Sequence, residues 1–152
     1  RDGQLLSRGW TQIGGRPHAE AAALAQLAPG AAEGATIFVT LEPCAHESDR
    51  GPACADLLVR ARPARVVIGL QDPDPRTCGK GMARLEDAGI AVTVLDHPAA
   101  RQSLAGFLTR AEKRRPFVTL KQALARTGGM VPPPGQKTFT SAASLRLAHQ
   151  LR

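Results

Sequence analysis

Four residues of this 152-residue chain have the types and spacing that metal-assisted hydrolysis needs: His18, Glu20, Cys44 and Cys54. One imidazole and two thiolates can fill three corners of a tetrahedral zinc site. A fourth corner left to water separates a catalytic zinc from a structural one. Zinc lowers the pKa of a water it holds to roughly 7, which supplies hydroxide near neutral pH. Glu20 follows His18 by two positions, and residues two apart on a helix point in different directions. Glu20 is therefore read as a carboxylate reaching over the open corner to move the water's proton, and as the catalytic residue.

Plainer readings stand beside this one. His18 could cap a helix while Cys44 and Cys54 serve as small buried hydrophobes. A purely structural zinc would want a fourth protein ligand, for which His46 is the nearest candidate. Cys78 has no assigned partner and is read as an inert thiol.

The elements that must position these groups follow from periodicity and turn signals. Pro17 before His18 suits a helix start, and the alanine-rich run His18 to Ala28 is expected to be helical. Ala35 to Leu41 is a continuous apolar run, expected as a strand buried on both faces. It leads into a polar loop, Glu42 to Pro52. Cys54 falls at the start of an expected helix, Ala53 to Ala61, where the dipole favours a thiolate.

Further strands are expected over Arg65–Leu70 and Ile90–Leu95, with a helix over Met82–Ala88 between them. Asp2-Gly3 is a hairpin-type turn signal, so Gln4 to Gly9 is expected as a returning strand. Pro98 to Arg114 reads as one helix, Phe117 to Gln122 as a strand, and Ser141 begins a last helix. Strands alternating with helices predict an α/β fold built on parallel pairing. A domain boundary is expected near Arg115, giving domains 1–115 and 116–152. The opening residues, which lack an initiating Met, and the helical pattern still running at Arg152 suggest a longer parent protein.

The net charge is +7. The arginines are scattered, and only Lys113-Arg114-Arg115 clusters. One Trp and no Tyr leave few stacking platforms for single-stranded nucleic acid. Neither nucleic acid nor a membrane is expected as a partner, since no apolar run approaches a membrane span. Three cysteines cannot form a complete disulfide framework, and a reducing cytoplasm leaves thiols free for metal.

The short signature of nucleobase deaminases is H-x-E followed by P-C-x-x-C. His18-Ala19-Glu20 and Pro43-Cys44 match, but nine residues separate Cys44 from Cys54. With Thr40-Leu41-Glu42-Pro43-Cys44-Ala45-His46, Asp72-Pro73-Asp74-Pro75, Gly79-Lys80-Gly81 and Arg115-Pro116-Phe117-Val118-Thr119-Leu120-Lys121, the chain resembles the bifunctional riboflavin-biosynthesis deaminase/reductases. The likeness runs from about Gly9 to Lys121, and a long loop between the cysteines is normal in that family.

The resemblance implies a cytidine-deaminase-like three-layer αβα domain with a mixed or parallel sheet. A truncated dihydrofolate-reductase-like α/β segment would follow it. The family's upstream helix, strand and substrate-binding Asn lie outside this sequence. The implied reaction is zinc-dependent hydrolytic deamination of 2,5-diamino-6-(5-phosphoribosylamino)pyrimidin-4(3H)-one, with Zn2+ on His18, Cys44 and Cys54. His46, Arg50, Asp72 and Asp74 would contact this phosphorylated pyrimidine, Arg50 at its phosphate. Asp72 and Asp74, each before a proline, could equally just shape the turn.

In the second segment the resemblance implies NADPH contacts at Ala123 and Thr138 and a substrate-phosphate contact at Arg152. It also implies a homo-oligomer formed through the reductase domain. The segment departs from the family at Ala125-Arg126-Thr127-Gly128, where Ser-Leu-Asp-Gly is usual, and at Thr138, where a Trp is usual. A related pyrimidine of a specialised flavin-like pathway, and a non-catalytic zinc or nucleic-acid-binding module, remain as alternatives.

Overall fold

The structure is a computed structural model and describes residues 2–46, 48–126, 128–132, 134–138 and 140–150. In chain order the elements are α1 (Ala19–Leu24), β1 (Thr36–Leu41), α2 (Cys54–Ala61), β2 (Arg65–Leu70), α3 (Lys80–Asp87), β3 (Ala91–Val94), α4 (Pro98–Ser103), α5 (Ala105–Lys113) and α6 (Ala142–Gln150). They fall into two compact units that divide after Phe117.

The first unit is built on a parallel sheet. Among the described residues it has three strands in the order β1-β2-β3, with Val39 opposite Ile68 and Val66 opposite Val92. Side chains of alternate strand residues share a face. Ile37, Val39, Val66, Ile68 and Val92 therefore point together, and onto them pack Leu24 of α1, Leu58 and Val59 of α2, and Met82 and Leu85 of α3. The opposite face meets α4 at Gly69, where an added Cβ would lie 2.7 Å from the Thr40 carbonyl and 3.0 Å from the Ala100 side chain.

Leu58 is completely buried at the centre of this core. Leu58→Ala should lower the unfolding free energy by about 2–5 kcal/mol, the usual cost of a cavity at such a site. Urea denaturation of the zinc-loaded protein would read the loss directly.

Several expectations need correction. β1 is not buried on both faces: its residues alternate between exposed and half-buried, and Phe38 is 74% exposed. Only β2, flanked by strands on both sides, is buried almost throughout. A strand's apolar run reports preference for a sheet, whereas its place in the sheet sets its burial.

Gln4 to Gly9 does not join the sheet. This segment lies along α1 and the turn after it, where Gln26 donates its side-chain amide to the Arg8 carbonyl at 2.8 Å. Gly9 approaches so closely that a Cβ would sit on the Ala19 carbonyl. α1 is shorter than expected, because the chain tightens after Leu24 into turns whose amides bond three residues back (Gln26 to Ala23, Leu27 to Leu24). The single helix expected over Pro98–Arg114 is divided at Leu104 into α4 and α5.

The second unit, residues 118–150 as described, contains α6 with Ala148 buried. Phe117 to Gln122 has strand-like composition but takes no strand conformation. A strand needs neighbours for its amides and carbonyls, and among the described residues none pairs with this one.

Candidate functional site

His18 is the N-cap residue of α1, with extended backbone angles (φ −71°, ψ 166°). Cys44 stands three residues beyond the end of β1, behind the buried Pro43. Cys54 is the first residue of α2 and is fully buried. These three come from a cap, a strand end and a helix start, and the parallel fold brings them together at the carboxyl edge of the sheet. Such edges are where sites form in open α/β sheets.

The Nδ1 of His18 lies 3.3 Å from the Cys54 Sγ and 3.7 Å from the Cys44 Sγ. The amide of Cys54 donates to the Cys44 Sγ at 3.3 Å. All three ligand atoms lie within 4.8 Å of one another. A tetrahedral zinc, with bonds of about 2.3 Å to sulfur and 2.0–2.1 Å to nitrogen, needs ligand atoms at about these separations. The donor set fits zinc with one position left over. The hydrogen bond shared with Cys54 holds the Cys44 thiol down, to about 4, while its bond to Cys44, with burial, pushes the Cys54 thiol up. Bound zinc would replace the retained proton, since its sulfur ligands are thiolates.

Glu20 sits in the first turn of α1. Burial pushes its carboxyl above the ordinary value, opposed by a hydrogen bond to its own backbone and by His18. A carboxyl shifted upward is better matched to carrying a proton near neutral pH. His18, Glu20, Cys44 and Asp72 share the lining of one cleft of about 1230 Å³.

His46 does not join the ligand group among the described residues. Its Nδ1 lies instead 3.4 Å from the hydroxyl of Thr77, a fully buried residue. Arg50 is exposed and donates to the Gly14 carbonyl at 3.0 Å, tying the inter-cysteine loop to the turn before His18. Asp72 is 7% exposed, accepts from the amide of Asp74 at 2.9 Å, and is shifted upward by burial.

Asp74 is taken up by Arg76, with guanidinium contacts of 2.6 and 3.0 Å that hold its carboxyl down to about 2. A carboxyl lowered on folding adds stability above its unfolded value near 3.8, and that contribution disappears as pH falls towards 2. Asp74→Asn should therefore flatten the stability profile between about pH 4 and pH 2 and leave its shape above pH 5 unchanged. Urea unfolding at a series of pH values would check the sign.

In the second unit, Ala123 has no regular structure, and the Thr138 hydroxyl accepts from the amide of Thr140 at 3.0 Å. Arg152 lies outside the described residues.

Arg16 was not anticipated. Half-buried, it donates to the Pro52 carbonyl at 3.0 Å and reaches to 4.0 Å from the Cys44 sulfur, so it spans both cysteine-bearing segments. Its place two residues before His18 was the available signal. Thr77 had none, because its role depends on a loop folding back by 31 residues.

The comparisons with known proteins agree with this geometry. Residues 1–70 match the cytidine and deoxycytidylate deaminase zinc-binding region, which sets the class of the site. The particular likeness is to the riboflavin biosynthesis protein RibD. The chain is 45% identical to that of Chlamydia trachomatis, covering 84% of this chain and 34% of the relative. It is 40% identical to that of Aquifex aeolicus, covering 100% and 43%.

A solved diaminohydroxyphosphoribosylaminopyrimidine deaminase/5-amino-6-(5-phosphoribosylamino)uracil reductase from Thermotoga maritima superposes with a TM-score of 0.84 at 33% identity. That match covers 100% of this chain and 44% of the other. Residues 1–70 thus match the zinc-binding region of the cytidine-type deaminases, and the resemblance to the riboflavin-biosynthesis deaminase/reductases is borne out. The chain spans between about a third and two-fifths of the length of the curated relatives it matches.

Proposed function

We propose that this chain is the deaminase portion of a riboflavin-biosynthesis deaminase/reductase, acting on 2,5-diamino-6-(5-phosphoribosylamino)pyrimidin-4(3H)-one. The reading rests chiefly on His18, Cys44 and Cys54 converging within 4.8 Å beside Glu20, in a chain related to RibD proteins along nearly its whole length. On this reading residues 1–115 form a cytidine-deaminase-like three-layer domain. Residues 116–152 begin a dihydrofolate-reductase-like domain, with Ala123 and Thr138 on its NADPH side and Arg152 at a substrate phosphate. Reduction and oligomer formation belong to the longer protein, and the setting is the cytoplasm.

Zinc on His18, Cys44 and Cys54 would act as a Lewis acid that makes water acidic enough to attack near neutral pH. Glu20 accepts a proton from the attacking water and delivers it to the exocyclic nitrogen as the C–N bond breaks. One water enters, and ammonia and a ring carbonyl result. Asp72, buried at the cleft, suits the substrate's ring donors. His46 and Asp74 complete the pyrimidine contacts, and Arg50 offers a forked donor set to the phosphate.

The test is ammonia release from the diaminopyrimidine phosphate by the zinc-loaded chain. Release that requires zinc and is absent with the dephosphorylated compound is the expected result. Turnover of a different pyrimidine only, or no turnover but salt-sensitive binding to RNA, would overturn it.

A further inference from the structure

Glu42 lies just past the end of β1 and two residues before Cys44, and it is 3% exposed. A buried carboxylate normally needs a cation or several hydrogen bonds. This one has backbone donors on both oxygens. Its Oε2 accepts from the amides of Asp72 at 3.3 Å and Gly79 at 3.1 Å; its Oε1 accepts from Gly81 at 3.0 Å and Met82 at 3.2 Å.

All four donors belong to one segment, the loop after β2 and the first turn of α3. That segment also carries Asp72 and Asp74, and it holds Thr77 against His46. Gly81 rests so closely on the strand end that a Cβ would overlap the Pro43 carbonyl and lie 3.2 Å from the Glu42 side chain. Pro43 is buried between Glu42 and Cys44. The same few residues therefore anchor the metal side of the cleft and the loop opposite.

We infer that Glu42 is a positioning residue: by gathering the amides of Asp72, Gly79, Gly81 and Met82, its carboxylate holds the substrate-facing segment in register with the strand end that presents Cys44. The inference rests on the proposed deamination for what that segment faces. The Glu42 side chain does not touch the reacting atoms on this view. It acts through Asp72 and through the Thr77–His46 pair. A glutamine at this position has one acceptor oxygen, and its NH2 group would confront two amide donors. Two amides of the segment would then lose their acceptor while the metal ligands stay in place.

The test compares zinc-loaded wild-type protein with Glu42→Gln. Expected is about one zinc per chain in both. Exchange at the Asp72, Gly79, Gly81 and Met82 amides should speed up, and KM should rise, each by roughly tenfold or more, with a smaller change in kcat. Unchanged amide exchange overturns the inference. So does a lowered melting temperature with KM unaltered, which would make Glu42 a stabiliser of the fold and nothing more.

If Glu42→Gln does not fold, Gly81→Ala displaces the segment from Pro43 without altering the carboxylate. It is expected to raise KM in the same way, and an unchanged KM counts against the inference. If wild-type protein releases no ammonia, the deamination reading falls. Amide exchange and the His46 ring resonances, both of which must change in Glu42→Gln, then decide this inference.

Discussion

Glu20→Gln is expected to keep its zinc and lose ammonia release by about two to four orders of magnitude, the usual share of a positioned general acid–base. The side chain is nearly isosteric, and Glu20 is not among the three ligand atoms that converge on the metal position. The change therefore tests proton transfer with little disturbance of metal binding. Burial already holds this carboxyl above its ordinary value, so the neutral amide is also readily accommodated. The loss should appear in kcat more than in KM, since the group matters most while the proton is in motion. Steady-state ammonia assays beside metal analysis would decide it. Retained activity with full zinc would assign the proton to another group and remove Glu20 from the mechanism.

Cys54→Ser should abolish stable zinc binding. Cys54 is fully buried, its sulfur is 3.3 Å from His18 Nδ1, and its amide donates to Cys44. A serine hydroxyl at this position is a harder and shorter ligand that stays protonated near neutral pH. Wild-type protein should gain about 2.7 kcal/mol of unfolding free energy when free zinc reaches one hundred times Kd, because the metal binds the folded state. The variant should gain almost none over the same titration. Calorimetry with and without zinc reads this without any activity assay. An equal zinc-dependent shift in the variant would exclude Cys54 as a ligand.

The same two positions show how far residue order can be read. His18-Ala19-Glu20 and Pro43-Cys44 are local signals, visible because their chemistry depends on residue type and short spacing. The alternation of strands and helices was equally legible, since β2 and α2 follow the local periodicity of their apolar residues. Edge and partner effects were not. Gln4–Gly9 and Phe117–Gln122 have strand-like composition, yet neither enters the described sheet. β1 has a core-like run but an exposed Phe38. A strand's burial and pairing are settled by what lies beside it, and one segment's sequence carries no record of that.

By itself, then, the sequence determined the residue types of the candidate metal site: one imidazole, two thiols and a carboxylate in the pattern expected of a zinc-dependent deaminase. Only the tertiary structure decided that Cys54 returns to His18 across the long loop, that His46 turns to Thr77, and that Arg16 reaches both cysteine segments. It also decided which groups Glu42 meets. Its four amide partners lie 30 to 40 residues further along the chain. Ligand type is a property of single residues, whereas a carboxylate's partners are fixed by which distant backbone donors the packed sheet and helices bring to it.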